Sequence, residues 1–472
     1  MTKYQNLALT LKNEIQSGLY HESERIPSLR EIQNMKDCSL TTAKEAYRIL
    51  EEEGLIEAKP QSGYFVRKNI RETLAGPRNH LFETVSKDDR IQTIMRDVMN
   101  PKLLPFGAAI PEDSFLPLSQ LISGFKTALL YKDMHKYGDL EGFAGLREKI
   151  AQITSRNGFP LSMENILITN GCTESLSLSL QSCTNPGDTI LVPSPTYVGI
   201  FQIVETLKLK LIEIPYRKEI GLDISEIKRL CRKHKPKAII ITANFNNPNG
   251  VLLNETTKQE LADIFQSEKI SLIEDDMYGD LHWGKTRPRP LISYMSFSKS
   301  SPPSFICSSF SKTIAPGIRI GWIGSKNSLK TVSKIARAYK ISHNLPTQIA
   351  VFEYLKKHSY EKHLNSLRRT FASNFLLWSD ALQTASEGNL EIDVPKGGLV
   401  LWAKTNTDTQ KLLSETKKKG IIFAPGILFG VSGQWKDCLR LNLALVWRKE
   451  VEKTLSDLGK TAKGKNKNDY KS

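Results

Sequence analysis

Leu7, Leu11 and Ile15 recur at the spacing of one helical face, and the pattern stops at Gly18. A second helix opens at Pro27-Ser28-Leu29-Arg30-Glu31, where Ser28 and Glu31 have the spacing of a capping box. After a turn at Lys36 to Ser39, Ala43, Ala46, Tyr47 and Leu50 line one face of a third helix that ends at Gly54. Thr42 and Glu45 predict a second capping box at its start. Leu55 to Ala58 and Tyr64 to Val66 read as short strands joined by the turn Pro60-Gln61-Ser62-Gly63. Three helices followed by a hairpin predict a small α+β winged helix-turn-helix over residues 1–68.

Residues 69–99 are polar, contain Gly76-Pro77 and hold no sustained period, so they read as a linker, with Arg90 to Met99 a candidate helix. From residue 100 to 458 the pattern changes. Continuous apolar runs (Asn165 to Thr169, Thr189 to Val192, Ala238 to Ile241, Ser271 to Glu274) alternate with helical patterns. Such alternation predicts a mostly parallel sheet in an α/β domain, with ligands bound beyond the carboxyl ends of the strands.

A chain of 472 residues is too long for one core, which agrees with two or three domains. No apolar run reaches the ~18 residues of a membrane span, and the first residues lack the layout of a secretory signal, so a cytoplasmic protein is expected. Six scattered cysteines without a C-x-x-C pair predict reduced thiols, with neither a disulfide framework nor a metal site. The net charge of +16 permits a polyanionic partner. Residues 1–70 nevertheless balance at 10 basic and 10 acidic side chains. The excess lies at 326–369, with 10 basic and 2 acidic side chains, and in the tail 459–472, expected to be disordered, with 5 lysines and 1 aspartate. Lys334, Arg337, Lys340, Arg368 and Arg369 therefore form either a second basic surface for DNA or an ordinary solvated helix face.

Chemistry collects where the apolar runs end. Gly171-Cys172-Thr173 feeds a helix N-terminus, which is an anion site or a plain strand-to-helix turn. Pro193-Ser194-Pro195-Thr196-Tyr197 places an aromatic ring at the sheet edge, for stacking or for packing. Asn247 follows a third run. Glu274-Asp275-Asp276-Met277-Tyr278 follows a fourth, as buried carboxylates that need partners or as a solvated loop. Lys312 lies between two apolar runs, with Ser309 and Ser311 before it and Arg319 after it. A buried amine beside anion-binding groups suits a Schiff base to a phosphorylated aldehyde, although many such strings are solvated loops.

Residues 1–68 resemble the DNA-binding domain of the GntR family through Arg25-Ile26-Pro27-Ser28-Leu29-Arg30, Thr41-Thr42-Ala43-Lys44-Glu45-Ala46-Tyr47 and Ser62-Gly63-Tyr64-Phe65-Val66. The resemblance implies a third helix in the major groove with Thr41, Thr42, Lys44 and Arg48 facing DNA, Ser28 and Arg30 on the backbone, and Gly63 letting the wing approach. From about Pro105 to Trp447 the order and offsets of the strand-end segments resemble fold-type I pyridoxal-phosphate enzymes, the class I aminotransferases. The resemblance implies an α/β domain with a smaller C-terminal α+β subdomain. It also implies pyridoxal 5'-phosphate as cofactor, an aldimine at Lys312, Asp275 on the pyridine nitrogen, Asn247 and Tyr278 on the ring oxygen, and Tyr197 stacked on the ring. The phosphate would be held by the Cys172 and Thr173 amides, Ser309, Ser311 and Arg319, with Tyr137 reaching the phosphate of a neighbouring subunit. Arg440 would clamp a substrate or effector carboxylate. Cys172 stands where a small or hydroxyl residue is common, and Asn249 replaces a common threonine. The combination resembles the MocR subfamily of transcriptional regulators. It implies a homodimer that binds a DNA operator and senses pyridoxal phosphate or an amino compound through Lys312. An active aminotransferase carrying a DNA-binding domain, and a sensing repressor with an inert cofactor pocket, are the alternatives.

Overall fold

The computed structural model describes residues 3–16, 20, 23–59, 62–67, 95–98, 100, 103–217 and 221–463. Gly18, the Pro60-Gln61 half of the hairpin turn, residues 68–94, Met99 and the tail from 464 onward lie outside the described residues. The chain divides into two compact units, Met1–Leu81 and Phe82–Ser472.

In the first unit, α1 (Lys3–Gln16), α2 (Leu29–Met35) and α3 (Leu40–Glu52) precede a hairpin of β1 (Ile56–Lys59) and β2 (Gly63–Val66). Its core holds Leu7, Leu11, Ile15, Ala43, Ala46, Tyr47 and Leu50, which are the positions of the helical periodicity, together with Ile32 of α2. Tyr47 is fully buried, yet its hydroxyl donates to the Pro27 carbonyl at 2.6 Å, so its polar end is satisfied. Its ring meets that of Tyr64 edge-on at 5.0 Å and ties α3 to the wing. The capping box at Ser28 and Glu31 forms as expected. The box expected at Thr42 and Glu45 does not. Ser39, in extended backbone, caps α3 by accepting from the Thr42 N–H at 3.1 Å, which leaves Thr42 inside the first turn.

The second unit contains an eight-stranded sheet of β3 (Ile166–Thr169), β4 (Thr189–Ser194), β5 (Lys210–Arg217), β6 (Gly221–Leu222), β7 (Ala238–Ile241), β8 (Ser271–Asp275), β9 (Ser304–Ser309) and β10 (Gly321–Gly324). Its order is β3-β10-β9-β8-β7-β4-β5-β6. Strands β5, β4, β7, β8 and β9 pair in parallel, while β10 runs antiparallel to both β9 and β3, and β6 antiparallel to β5. Every residue of β3, β7 and β8 is buried, as expected of a sheet covered by helices on both faces. A second, antiparallel sheet orders β11 (Leu390–Ile392), β12 (Val400–Thr405), β14 (Cys438–Asn442) and β13 (Ala424–Pro425). It shares a core with Trp378 and Leu382 of the Tyr360–Ser386 helix and with Leu455 and Leu458 of the Lys449–Lys463 helix.

Two boundaries differ from the sequence reading. Residues 459–463, assigned to a disordered tail, continue the last helix, because Gly459 is buried close against Ala385. Residues 95–98, assigned to the linker, are helical and packed. Val98 joins the second core, and the Asp97 carboxylate meets the Lys417 ammonium at 2.6 Å. These residues fall within the candidate helix Arg90 to Met99, and one apolar side chain and one ion pair attach this turn to the second unit rather than to a linker.

Candidate functional site

The carboxyl ends of the parallel strands surround a cavity of about 370 Å³. Cys172, Thr173, Tyr197, Asn247, Asp275, Tyr278, Ser311, Lys312, Arg319 and Arg440 all line it.

Asp275 ends β8. The three neighbouring acids are all buried, which excludes the solvated-loop reading, and each has its own partners. Glu274 accepts from the Leu291 and Ile292 N–H groups, both at 2.8 Å, and Asp276 pairs with Arg287. Asp275 alone faces the cavity, accepting from the Cys172 thiol at 3.4 Å and the Met277 N–H at 3.1 Å. Burial raises its pKa to about 6, against the lowering effect of the thiol, so it is a carboxylate at neutral pH. Cys172, the departure from the usual small or hydroxyl residue, thus supplies a donor to this carboxylate.

Lys312 ends the short turn after β9, and its amine donates to the Ala109 carbonyl at 2.6 Å. Burial lowers its pKa to about 8, helped by repulsion from Arg440 and Arg319 and opposed by Asp275. A lysine that loses its proton near neutrality is a nucleophile.

The Cys172–Cys183 helix points its first turn at the cavity, where N–H groups lack partners within the helix. Gly171 before it has φ +98°, and a Cβ there would lie 2.2 Å from Nη2 of Arg319. Only glycine lets the guanidinium lie against this turn, where it donates to the Asn170 carbonyl at 2.8 Å. Ser311 lines the cavity, whereas Ser309 stands behind it. The Ser309 hydroxyl caps the Phe310–Lys312 turn and lies 2.7 Å from the Ser311 hydroxyl. Tyr197 begins the Val198–Thr206 helix, and its ring folds over Gly199, where a Cβ would come within 2.4 Å of the ring.

Arg440 lies on β14 in the second sheet and is buried. Nη1 donates to Asn247 Oδ1 at 2.8 Å, Nη2 to the Gly107 carbonyl, and Nε has no partner among the described residues. Its guanidinium sits 4.9 Å over the Phe429 ring. A buried cation without a carboxylate partner is expensive unless a ligand completes it. Asn247 also donates to the Tyr278 hydroxyl at 3.2 Å, which links the two expected ring-oxygen partners. Asn249 is used within its loop, accepting from Asn246 at 2.8 Å. The cavity wall therefore carries Lys312, Arg319 and Arg440 against Asp275, an excess of positive charge that suits an anionic ligand.

Tyr137 is 80% exposed and is not part of the cavity wall. The sequence reading also missed several wall residues: Met95, Val98, Met277, Leu428 and Phe429. An apolar side chain in a loop looks the same in sequence whether it fills a core or faces a ligand, so no signal marks these five. Of the proposed basic surface, Lys340 is bound to Glu174 at 2.9 Å, and buried Arg368 is bonded to the Asp280 carbonyl and to Glu361. Those two serve the fold and are not free to meet DNA.

In the first unit, Thr41 and Lys44 are exposed on α3, Thr42 is half-buried, and Arg30 is exposed on α2. Arg48 is exposed but held by Glu45 at 2.9 Å and Glu52 at 2.5 Å. The capping box engages the Ser28 N–H and hydroxyl oxygen, leaving the hydroxyl proton to donate. Gly63 has φ +105° and lies beside Arg25, so the turn itself requires glycine there.

Fold and cavity together define a protein of two functional parts, a winged helix-turn-helix and an α/β domain built to hold a small anionic ligand next to an activated lysine. Comparison with known proteins identifies both. Residues 3–66 match the bacterial regulatory proteins of the gntR family, and residues 106–458 match aminotransferase class I and II. The chain is 31% identical to the HTH-type transcriptional regulator YdcR of Escherichia coli (strain K12), over 98% of this chain and 99% of that one. It is 25% identical to aromatic-amino-acid aminotransferase 1 of Thermococcus litoralis, over 80% of this chain and 92% of that one. Among solved structures, the kynurenine aminotransferase of Pyrococcus horikoshii superposes with a TM-score of 0.73 at 23% identity, covering 83% of this chain and 98% of that one. The chain belongs to the MocR subfamily of transcriptional regulators, in which a GntR-type DNA-binding domain is fused to a fold-type I aminotransferase domain.

Proposed function

We propose that this chain is a homodimeric, DNA-binding transcriptional regulator that holds pyridoxal 5'-phosphate in the Lys312 cavity and senses the cofactor or an amino compound there. The observation that carries the reading is the convergence on one cavity of Lys312, Asp275 and Arg440, whose Nε has no partner among the described residues, in a chain that also carries a GntR-type DNA reader. The cavity fits the cofactor: Gly171 lets the Arg319 guanidinium lie beside a helix N-terminus, two groups suited to a phosphate, and Asp275 offers a buried carboxylate to a ring cation. When bound, the cofactor supplies an aldehyde for an amine and a ring that draws electrons from the carbon bearing that amine.

The chain's own residues define the rest. Lys312 presents to the cavity an amine that loses its proton more readily than an ordinary lysine, with the Ala109 carbonyl orienting its N–H. Arg319, Ser311 and the first turn of the Cys172–Cys183 helix hold the phosphate, with Ser309 positioning Ser311. Asn247 and Tyr278 meet the ring oxygen, and Tyr197 covers the ring. Arg440 then holds the carboxylate of an amino compound, which satisfies the free Nε. A ligand that binds two arrangements of the dimer unequally shifts the balance between them, and with it the grip on DNA. Thr41, Thr42, Lys44 and Arg48, with Ser28 and Arg30 behind them and Gly63 in the wing, form the DNA-facing set.

A second reading, an active aminotransferase carrying a DNA reader, is favoured by one observation: every wall residue that amino transfer needs is present, including Arg440. Single-turnover assays with amino acids and a keto acid separate the two. Footprinting of the loaded dimer on promoter DNA, with and without amino acids, tests the regulator reading. Fast repeated turnover without operator binding contradicts it.

A further inference from the structure

The residues lining the cavity are of two chemical kinds. Its charged groups are Lys312, Asp275, Arg319 and Arg440, and the proposed function assigns all four. The apolar part of the wall includes Met95, Val98, Val198, Met277, Leu428 and Phe429, and no further charged side chain lines the cavity among the described residues.

We propose that this apolar wall reads the side chain of the amino compound, and that the compound is an α-amino acid with an uncharged, apolar side chain. The proposal rests on the reading of Lys312 and Arg440 given above and adds the ligand class. Arg440 has Nη1 on Asn247, Nη2 on Gly107 and Nε free, so one carboxylate completes it. With carboxylate and amine fixed at Arg440 and Lys312, the side chain is left the apolar wall. A second carboxylate or an ammonium there would lose water and meet no partner. Two methionines in that wall adapt to different apolar shapes, so leucine, methionine and phenylalanine should be graded and not sharply separated.

The wall also has a directional feature. Met95 and Val98 lie upstream of residue 106, where the aminotransferase match begins, and so on the stretch of the unit nearest the reader in sequence. The turn that carries them is tied on both sides. Gln202 donates to the Met95 sulfur at 3.8 Å, Asp97 pairs with Lys417, and Val98 packs close to Gly107.

The test uses the full chain reconstituted with pyridoxal phosphate. Its visible absorbance is titrated with L-leucine, L-methionine, L-phenylalanine, L-aspartate and L-lysine. The expected result is half-saturation by the apolar amino acids at concentrations about 100-fold or more below those for aspartate and lysine. Met277→Arg should narrow or reverse the leucine-to-aspartate ratio by giving a second carboxylate its partner, and Met95→Lys should move the ratio the same way. Cofactor absorbance with an equal or stronger response to aspartate or lysine overturns this proposal alone. Absence of cofactor absorbance on reconstitution overturns the parent reading and this proposal together.

Discussion

Lys312 makes the sharpest quantitative prediction. Burial lowers its pKa from 10.5 to about 8. At pH 7 roughly 10% of such amines are neutral, against roughly 0.03% for an ordinary lysine, a gain of about 300-fold in reactive amine. Between pH 6.5 and 8.5 the neutral fraction climbs from roughly 3% to roughly 75% and then levels off. Stopped-flow mixing of unloaded protein with pyridoxal phosphate should show an attachment rate with that midpoint and plateau. Arg440→Gln should move the midpoint upward, because it removes the larger of the two repelling charges while leaving the burial. The same shift has a stability consequence with a definite sign. The folded state holds the charged amine poorly, so the penalty is complete below pH 8 and fades as pH rises toward 10.5. The shift corresponds to a penalty on the order of 3 kcal/mol, which cofactor attachment at neutral pH should relieve as a higher melting temperature. An attachment rate that keeps rising tenfold per pH unit through pH 9.5 would show an ordinary lysine and refute the reasoning.

Three further outcomes follow from contacts already described. Asp275→Asn removes the carboxylate that holds the Lys312 pKa up, so the attachment midpoint should fall below 8 while cofactor affinity drops; a rising midpoint contradicts the pairing. Gly171→Ala forces a side chain into positive φ and against Arg319, a strain of about 1–3 kcal/mol that should weaken cofactor binding about tenfold in an absorbance titration; unchanged affinity would mean the phosphate does not sit there. On DNA, Lys44→Ala should reduce the salt slope of binding by about 1, measured by fluorescence anisotropy, and Arg48→Ala by less, because Glu45 and Glu52 already hold Arg48; equal effects would show that Arg48 leaves its partners.

How far the sequence carried depended on how local each cause was. The periodicity of Leu7, Leu11, Ile15, Ala43, Tyr47 and Leu50 placed the reader's core correctly, because a helix face is fixed by neighbours three and four residues apart. The apolar runs at β3, β4, β7 and β8 were equally legible, since a fully buried strand must be apolar throughout. The cap of α3 was misplaced by three residues, because Ser39 and Thr42 are both competent caps and the backbone entry angle decides between them. The residues converging on the cavity were named from order and offset, yet their partners were not readable. Ala109 accepting from Lys312, and Gly107 accepting from Arg440, join residues 203 and 333 apart in the chain. The helical residues 95–98 fall within the candidate helix Arg90 to Met99, but their place in the cavity wall was not readable, because two apolar residues without a period do not say what they face. Lys340 and Arg368 counted as surface charge until their partners, the Glu174 carboxylate and the Asp280 backbone carbonyl, were visible.

The account stands on the claim that the Lys312 cavity controls the reader's hold on DNA. The direct measurement is operator affinity of the full chain in three forms: unloaded, loaded with pyridoxal phosphate, and loaded with an apolar amino acid present, each beside Lys312→Ala. The predicted result is a change of about 5- to 150-fold between forms of the natural chain, with Lys312→Ala folded, dimeric, still able to bind DNA and indifferent to both additions. Identical affinities in all three forms, or loss of all DNA binding in a folded dimeric Lys312→Ala, would contradict it.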